Sequence, residues 1–142
     1  MTDRQEAAHK WLNRNYVEWM EVQKLRQRLE LSESLLSNGV SRMDRSEVQE
    51  DMSRNRQEDR QINASYLREI VETRLQALDM ADAHTIQIIA KLEDPDERMI
   101  LLSRYILRMT WSAIERDLHV STRNLYRKRD RALDHVAEHI RP

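Results

Sequence analysis

Residues Thr110 to Val136 read TWSAIERDLHVSTRNLYRKRDRALDHV. Thr110 and Ser121 carry hydroxyls that can accept a hydrogen bond from a backbone N–H two or three residues further on, the requirement for a helix N-cap. Around them Ile114, Leu118, Val120, Leu125, Ala132, Leu133 and Val136 keep one helix face apolar, with a single break at His119 and Val120. The spacing predicts helices over about 111–118 and 122–139 joined by a tight turn. These are the offsets of a helix-turn-helix, in which the first helix braces the second. Its expected core is Ile114, Leu118, Val120, Leu125, Ala132 and Leu133.

The opposite face of the second helix carries Thr122, Arg123, Asn124 and Arg127, the residue types that read base edges in a major groove. Arg donates two parallel hydrogen bonds to guanine, Asn pairs with adenine in the same way, and Thr meets the thymine methyl. Ser121, Tyr126, Lys128, Arg129 and Arg131 suit phosphate oxygens, where they add affinity without reading sequence. A charge run alone is most often a solvated helix face. Coupled to the turn pattern, it points to double-stranded DNA as the partner.

Upstream, Asp94-Pro95-Asp96-Glu97 marks the start of a supporting helix over about 95–108, with Asp94 as cap, Pro95 in first position and Glu97 closing a capping box. Leu101, Tyr105 and Ile106 are its contribution to the core. Two residues depart from the usual motif. Glu115 stands where a small residue presses against the second helix, and Lys128 where an apolar one is usual. Both face one junction, which predicts a Glu115–Lys128 pair whose lysine stem covers the core. His119 replaces the common turn glycine and is expected in the left-handed conformation.

Towards the amino terminus, Leu12, Tyr16, Trp19, Val22, Leu25, Leu29 and Leu36 recur at three- and four-residue steps, predicting a helix over about 5–37. Trp11, Tyr16 and Trp19 read as part of this core stripe. Asn38, Gly39 and Val40 suit a Schellman ending. A polar loop over about 38–45 follows, and the polar composition up to residue 60 fits either a mobile linker or a solvated helix start, with Ser46 to Gln49 in capping-box form. From Ile62 the pattern is apolar again, through Leu67, Ile70, Val71, Leu75, Leu78, Ile86, Ile89 and Leu92, for a second helix over about 46–93. The economical arrangement is an antiparallel helical hairpin over 1–93 followed by the helix-turn-helix domain over 94–142.

Composition agrees with this all-α reading. The 142 residues include one Gly, two Pro, no Phe and 35% charged side chains, which describes long amphipathic helices and leaves little for a sheet. The net charge of −1 hides an asymmetry, since residues 104–142 hold nine Arg and Lys against five Asp and Glu, and residues 1–103 hold fifteen against twenty. A basic end suits a polyanion. With no Cys, disulfides, thiolate metal sites and thiol catalysis are excluded. Neither a membrane span nor a signal peptide is expected, which places the protein in the cytoplasm.

Catalytic signals are weak. His135-Val136-Ala137-Glu138-His139 spells H-x-x-E-H, but three residues follow it and no third ligand is in reach, so it reads as polar helix surface. His9, His84 and His119 make no ligand spacing. One glycine cannot build a phosphate-cradling loop. The expectation is a protein without enzymatic activity, metal or cofactor.

The stretch DERMILLSRYILRMTWSAIERDLHVSTRNLYRKRDRALDHV, Asp96 to Val136, resembles the carboxy-terminal domain of bacterial sigma factors, and the whole chain resembles small phage and prophage regulators of the ArpU/RinA type. The shared pieces are the LLSRYI helix, the TW that opens the next one, and STRNLYR with RAL in the recognition helix. By that resemblance Thr122, Arg123 and Arg127 sit where the sigma domain contacts bases, and the implied task is regulation, chiefly activation, of phage transcription in a bacterial host. No counterpart of the sigma domain that melts the minus-10 element is present, so a complete sigma factor is not implied. Host RNA polymerase is the implied second partner, and a homodimer through the N-terminal helices is expected because a single small motif gives little specificity. Two rivals belong to other classes: a DNA-packaging component of the small-terminase type, whose DNA module usually comes first in the chain, and a helical adaptor that binds polymerase or another protein without touching DNA.

Overall fold

The computed structural model describes residues 1–37 and 47–140, all of them in helices, turns and short connections, with no strand among them. The helices are α1 (Asp3–Leu12), α2 (Tyr16–Ser37), α3 (Glu47–Ala90), α4 (Pro95–Leu101), α5 (Trp111–Leu118) and α6 (Thr122–His139), and α4 runs directly into a π-helical turn over Leu102–Ile106. The expected Gly39 ending and the Ser46 cap lie outside the described residues. Residues 47–60 are helical, which resolves the open reading of that stretch in favour of a solvated helix start. Among the described residues no helix is long and apolar enough to cross a membrane.

The helix expected over 5–37 is two helices. α1 begins earlier, because Thr2 and Gln5 form a capping box in which the Gln5 N–H donates to Thr2 Oγ1 (3.2 Å) and the Thr2 N–H to Gln5 Oε1 (3.0 Å). It ends at Asn13, and the Tyr16 N–H donates to the Asn13 carbonyl across a tight turn (3.1 Å). Asn13 and Asn15 are poor helix-interior residues, since their amides compete for backbone partners. Asn15 donates instead to Asp82 (3.4 Å), and Arg14 caps the Trp11 carbonyl (2.8 Å) with its guanidinium over the Trp11 ring.

The chain forms two compact units, one of residues 1–17 and 79–142 and one of residues 18–78. The sequence pattern alone divides it at 93/94 instead. The first seventeen residues join the carboxy-terminal unit because α1 packs on α6: Ala8 and Leu12 are buried in one cluster with Ile88, Ile89, Leu92, Leu101, Tyr105, Leu133 and Val136. Gln5 reinforces the contact by donating to Asp134 (3.1 Å). A smaller cluster of Ile100, Ile114 and Leu125, flanked by Met109, Trp111, Leu118 and Val120, lies under α5 and the start of α6.

In the second unit, Arg68 of α3 pairs with Glu33 of α2 (2.6 Å), and Arg74 pairs with Glu18 (2.7 Å) and Glu21 (2.8 Å). Residue numbers rise along one helix as they fall along the other, so α2 and α3 run antiparallel. Val22 of α2 and Ala64, Val71 and Leu78 of α3, the last three one heptad apart, are its buried residues.

Candidate nucleic-acid interface

Three local devices place α5 and α6. Asp94 caps α4 by accepting from the Asp96 N–H (2.8 Å), with Pro95 in first position. Thr110 caps α5 by accepting from the Ala113 N–H (3.1 Å), and Ser121 caps α6 by accepting from the Asn124 N–H (3.2 Å). Between α5 and α6, His119 adopts φ 53° and ψ 43°, left-handed as its position predicts, and the following Val120 N–H donates back to the Glu115 carbonyl (3.3 Å).

The turn into α5 is held from further away. After the π-helical turn, Arg108 is also left-handed (φ 56°), and its guanidinium meets Asp82 of α3 with two hydrogen bonds of 3.2 Å. These side chains are only 7% and 14% exposed. The same guanidinium donates to the Ile106 carbonyl (2.9 Å), so one buried cation ties the end of the π-turn to the last part of α3.

With Leu125, Ala132 and Leu133 buried and Ile114 fully buried under them, the rotation of α6 is fixed. Leu118 and Val120 pack at the edge of that core, as expected. Ser121, Thr122, Arg123, Asn124, Arg127 and Arg131 are then left exposed. Arg123, Arg127 and Arg131 are four residues apart, on one ridge, and make no ion pair among the described residues. Their guanidiniums offer an unspent row of donors in a fork geometry that matches acceptor pairs on bases or phosphates.

The other three polar residues assigned to phosphate are engaged inside the fold. Tyr126 is half-buried edge-on against Trp111, with ring centroids 5.8 Å apart. Arg129 lies over the Tyr126 ring (4.7 Å) and over Trp111 (5.7 Å) while pairing with Asp130 (2.7 Å). Arg104, from the π-turn, approaches Trp111 as well (5.0 Å) and donates to the Met109 carbonyl (2.9 Å). This aromatic and guanidinium cluster has no sequence signal of its own, because its members come from three separate elements.

Lys128 pairs with Asp96 (2.9 Å), which corrects the expected partner Glu115. The lysine is directed to α4, where the Asp96 carboxylate stands in the first turn beside the buried motif core. Glu97 is corrected too. It does not close a capping box but turns inward, 2% exposed, and its carboxylate meets Nδ1 of His135 on α6 at 2.7 Å. That hydrogen bond raises the His135 pKa above its ordinary value. His135 is thus a structural partner of Glu97, and among the described residues no group of His and carboxylate side chains is arranged to hold a metal.

The model of the family described as protein of unknown function (DUF1492) matches residues 35–137, more than two thirds of the sequence. The chain belongs to the DUF1492 family. The matched region takes in the described part of α3, all of α4 and α5, and α6 as far as Ala137, so the exposed arginine ridge lies inside what defines the DUF1492 family. No curated protein and no solved structure matches the chain.

Proposed function

We propose that residues 94–140 work as a helix-turn-helix of the sigma-factor carboxy-terminal kind and that the protein is a sequence-specific DNA-binding regulator. The observation that carries this reading is the ridge of Arg123, Arg127 and Arg131, exposed beside Thr122 and Asn124 at the start of a helix whose other side is locked into the core. In this reading α6 enters the major groove with Thr122, Arg123, Asn124 and Arg127 at base edges, and Ser121 and Arg131 meet the flanking phosphates. Tyr126, Lys128 and Arg129 support the recognition helix from within and contribute less to the contact.

The resemblance to ArpU/RinA-type regulators extends the proposal to its task. The protein acts on phage or prophage genes, chiefly as an activator that recruits or holds host RNA polymerase at a promoter. The adaptor reading drew its strength from two charges at the helix junction, and the pairing of Lys128 with Asp96 removes one of them from that argument.

The test is to incubate the protein with sheared DNA from its phage or host, sequence what is retained, and repeat at rising salt beside Arg123→Ala/Arg127→Ala. A discrete site retained by the wild type and lost by the variant is the expected result. Equal retention by both, or none by either, would sink base readout by α6 and favour an adaptor role. Ring-sized assemblies would favour a DNA-packaging role.

A further inference from the structure

The unit of residues 18–78 leaves large apolar side chains in solvent on both of its helices. Leu31 and Leu35 of α2 and Ile62 and Tyr66 of α3 are each more than half exposed, and Ile70 nearly so. Single exposed apolar residues need no explanation, but a patch does.

The ion pairs show that these five share one face. Glu33–Arg68 and Glu21–Arg74 set the antiparallel register, which brings Leu31 about level with Tyr66 and Leu35 about level with Ile62. Glu21–Arg74 also marks one flank of the pair, with Glu33–Arg68 on the other. On α2, Arg28 and Leu35 follow Glu21 by one and two heptads and therefore share its flank, with Leu31 one turn before Leu35. On α3, Ile70, Tyr66 and Ile62 step back from Arg74 by four, eight and twelve residues, along a ridge that starts on that flank.

α3 thus carries two apolar rows, a buried one of Ala64, Val71 and Leu78 and an exposed one through Ile62, Tyr66 and Ile70. A helix with two such rows belongs in a bundle of more than two helices. We infer that the exposed face is the seam with a second copy of the chain, two α2–α3 pairs closing into a four-helix bundle.

Charge selects that occupant. The exposed charges next to the apolar residues are basic on α2 (Lys24, Arg28) and acidic on α3 (Asp59, Glu69, each one heptad from Tyr66 or Ile62). A twofold axis running along the helices sets α2 of one copy against α3 of the other at the same level. Leu31 then meets Tyr66, Leu35 meets Ile62, and Arg28 comes opposite Glu69. A foreign helix pair would need both signs and both apolar rows at this spacing, and the chain itself supplies them. The five side chains expose on the order of 500 Å² per copy, so pairing hides about 1,000 Å², where specific interfaces begin. The inference uses only residues 18–78 and is independent of whether α6 reads DNA.

Sedimentation equilibrium on the full chain tests it, with Leu31→Glu/Tyr66→Glu, Arg28→Glu and Arg28→Glu/Glu69→Arg beside the wild type. The wild type is expected at twice the 17.1 kDa of one chain and the apolar double variant at the single mass with unchanged helical circular dichroism. Arg28→Glu should raise the dimer dissociation constant roughly fivefold, and adding Glu69→Arg should restore it. Should the apolar variant lose helicity, the charge swap decides alone. A wild type that stays monomeric at the highest concentration reached, a larger assembly, or a dimer indifferent to both sets of substitutions would overturn the inference.

Discussion

Lys128 of α6 donates to Asp96 of α4 across 2.9 Å, while Arg127, its neighbour in sequence, stands exposed with no ion pair among the described residues. Two adjacent cations on one helix therefore have different work. If α6 binds DNA, Arg127→Ala should weaken retention at least tenfold, the low end of a lost bidentate base contact. Lys128→Ala should change affinity less than threefold and leave the salt dependence as it was, because its charge is already spent. A filter-binding titration of the two variants over a range of salt separates them. Equal losses would mean that Lys128 leaves Asp96 to meet the ligand.

The Arg108–Asp82 pair is the most buried ion pair among the described residues, and it anchors a left-handed residue ahead of α5. Removing one partner of a buried pair strands the other charge, at a cost of about 3–5 kcal/mol. Asp82→Ala is therefore expected to lower stability to urea by about that amount, with Asp82→Ala/Arg108→Ala milder than the sum of the two single changes. Strict additivity in the double-mutant cycle would show that the two side chains do not depend on each other.

His119 sits at φ 53° in the turn between α5 and α6, where a side chain beyond Cβ costs conformational energy. His119→Gly should be at least as stable as the wild type and gain up to about 1 kcal/mol, whereas His119→Val, branched at Cβ, should lose about 1–2 kcal/mol. Thermal melts of the three proteins order them. A glycine variant that melts clearly below the wild type would point to a contact made by the imidazole.

Two histidines pull stability in opposite directions. Glu97 raises the pKa of His135, so this group adds stability that is fully present below the ordinary histidine pKa and is lost as pH rises through the raised value. His9 is lowered, mainly by burial and then by the nearby Arg104 and Arg129, so its contribution is present above the ordinary value and lost as pH falls through the lowered one. Burial also pushes Tyr105, whose hydroxyl lies 2.6 Å from His9 Nδ1, up to about 12, which keeps it neutral throughout. His135→Gln should leave a protein that loses stability faster below pH 6.5 than the wild type, and His9→Gln one that loses less. Urea midpoints measured from mildly acidic to mildly alkaline pH would show this crossing. Parallel profiles for the two variants would contradict the assignment.

What could be read from the sequence is what a residue decides within about one helical turn. The caps at Asp94, Thr110 and Ser121, the proline start of α4 and the left-handed His119 all follow from a side chain and the backbone next to it. The core of α5 and α6 followed from periodicity for the same reason. Partner choice at distance did not. Lys128 had two carboxylates within plausible reach, Glu115 thirteen residues away and Asp96 thirty-two, and only the packing of α4 on α6 selects the second. Glu97 fits a capping box by spacing, yet burial against α6 and a waiting imidazole outweigh an N–H that water satisfies as well. The start of α1 did leave a signal, the Thr2-x-x-Gln5 spelling, and its end another in the paired asparagines; the longer apolar stripe overrode both.

The π-helical turn between α4 and α5 accommodates one residue more than an α-helix needs to cover the same rise. The aim of everything after it is therefore set by counting as much as by side-chain chemistry. Deleting a single residue between Leu102 and Ile106 would let the turn relax to α-helix and rotate the chain beyond it by about 100°, the angle of one residue. The arginine ridge of α6 would keep its sequence, caps and charges and face another way. A family alignment that shows a one-residue gap at this place would therefore mark relatives whose second helix points elsewhere, however well the helix itself is preserved.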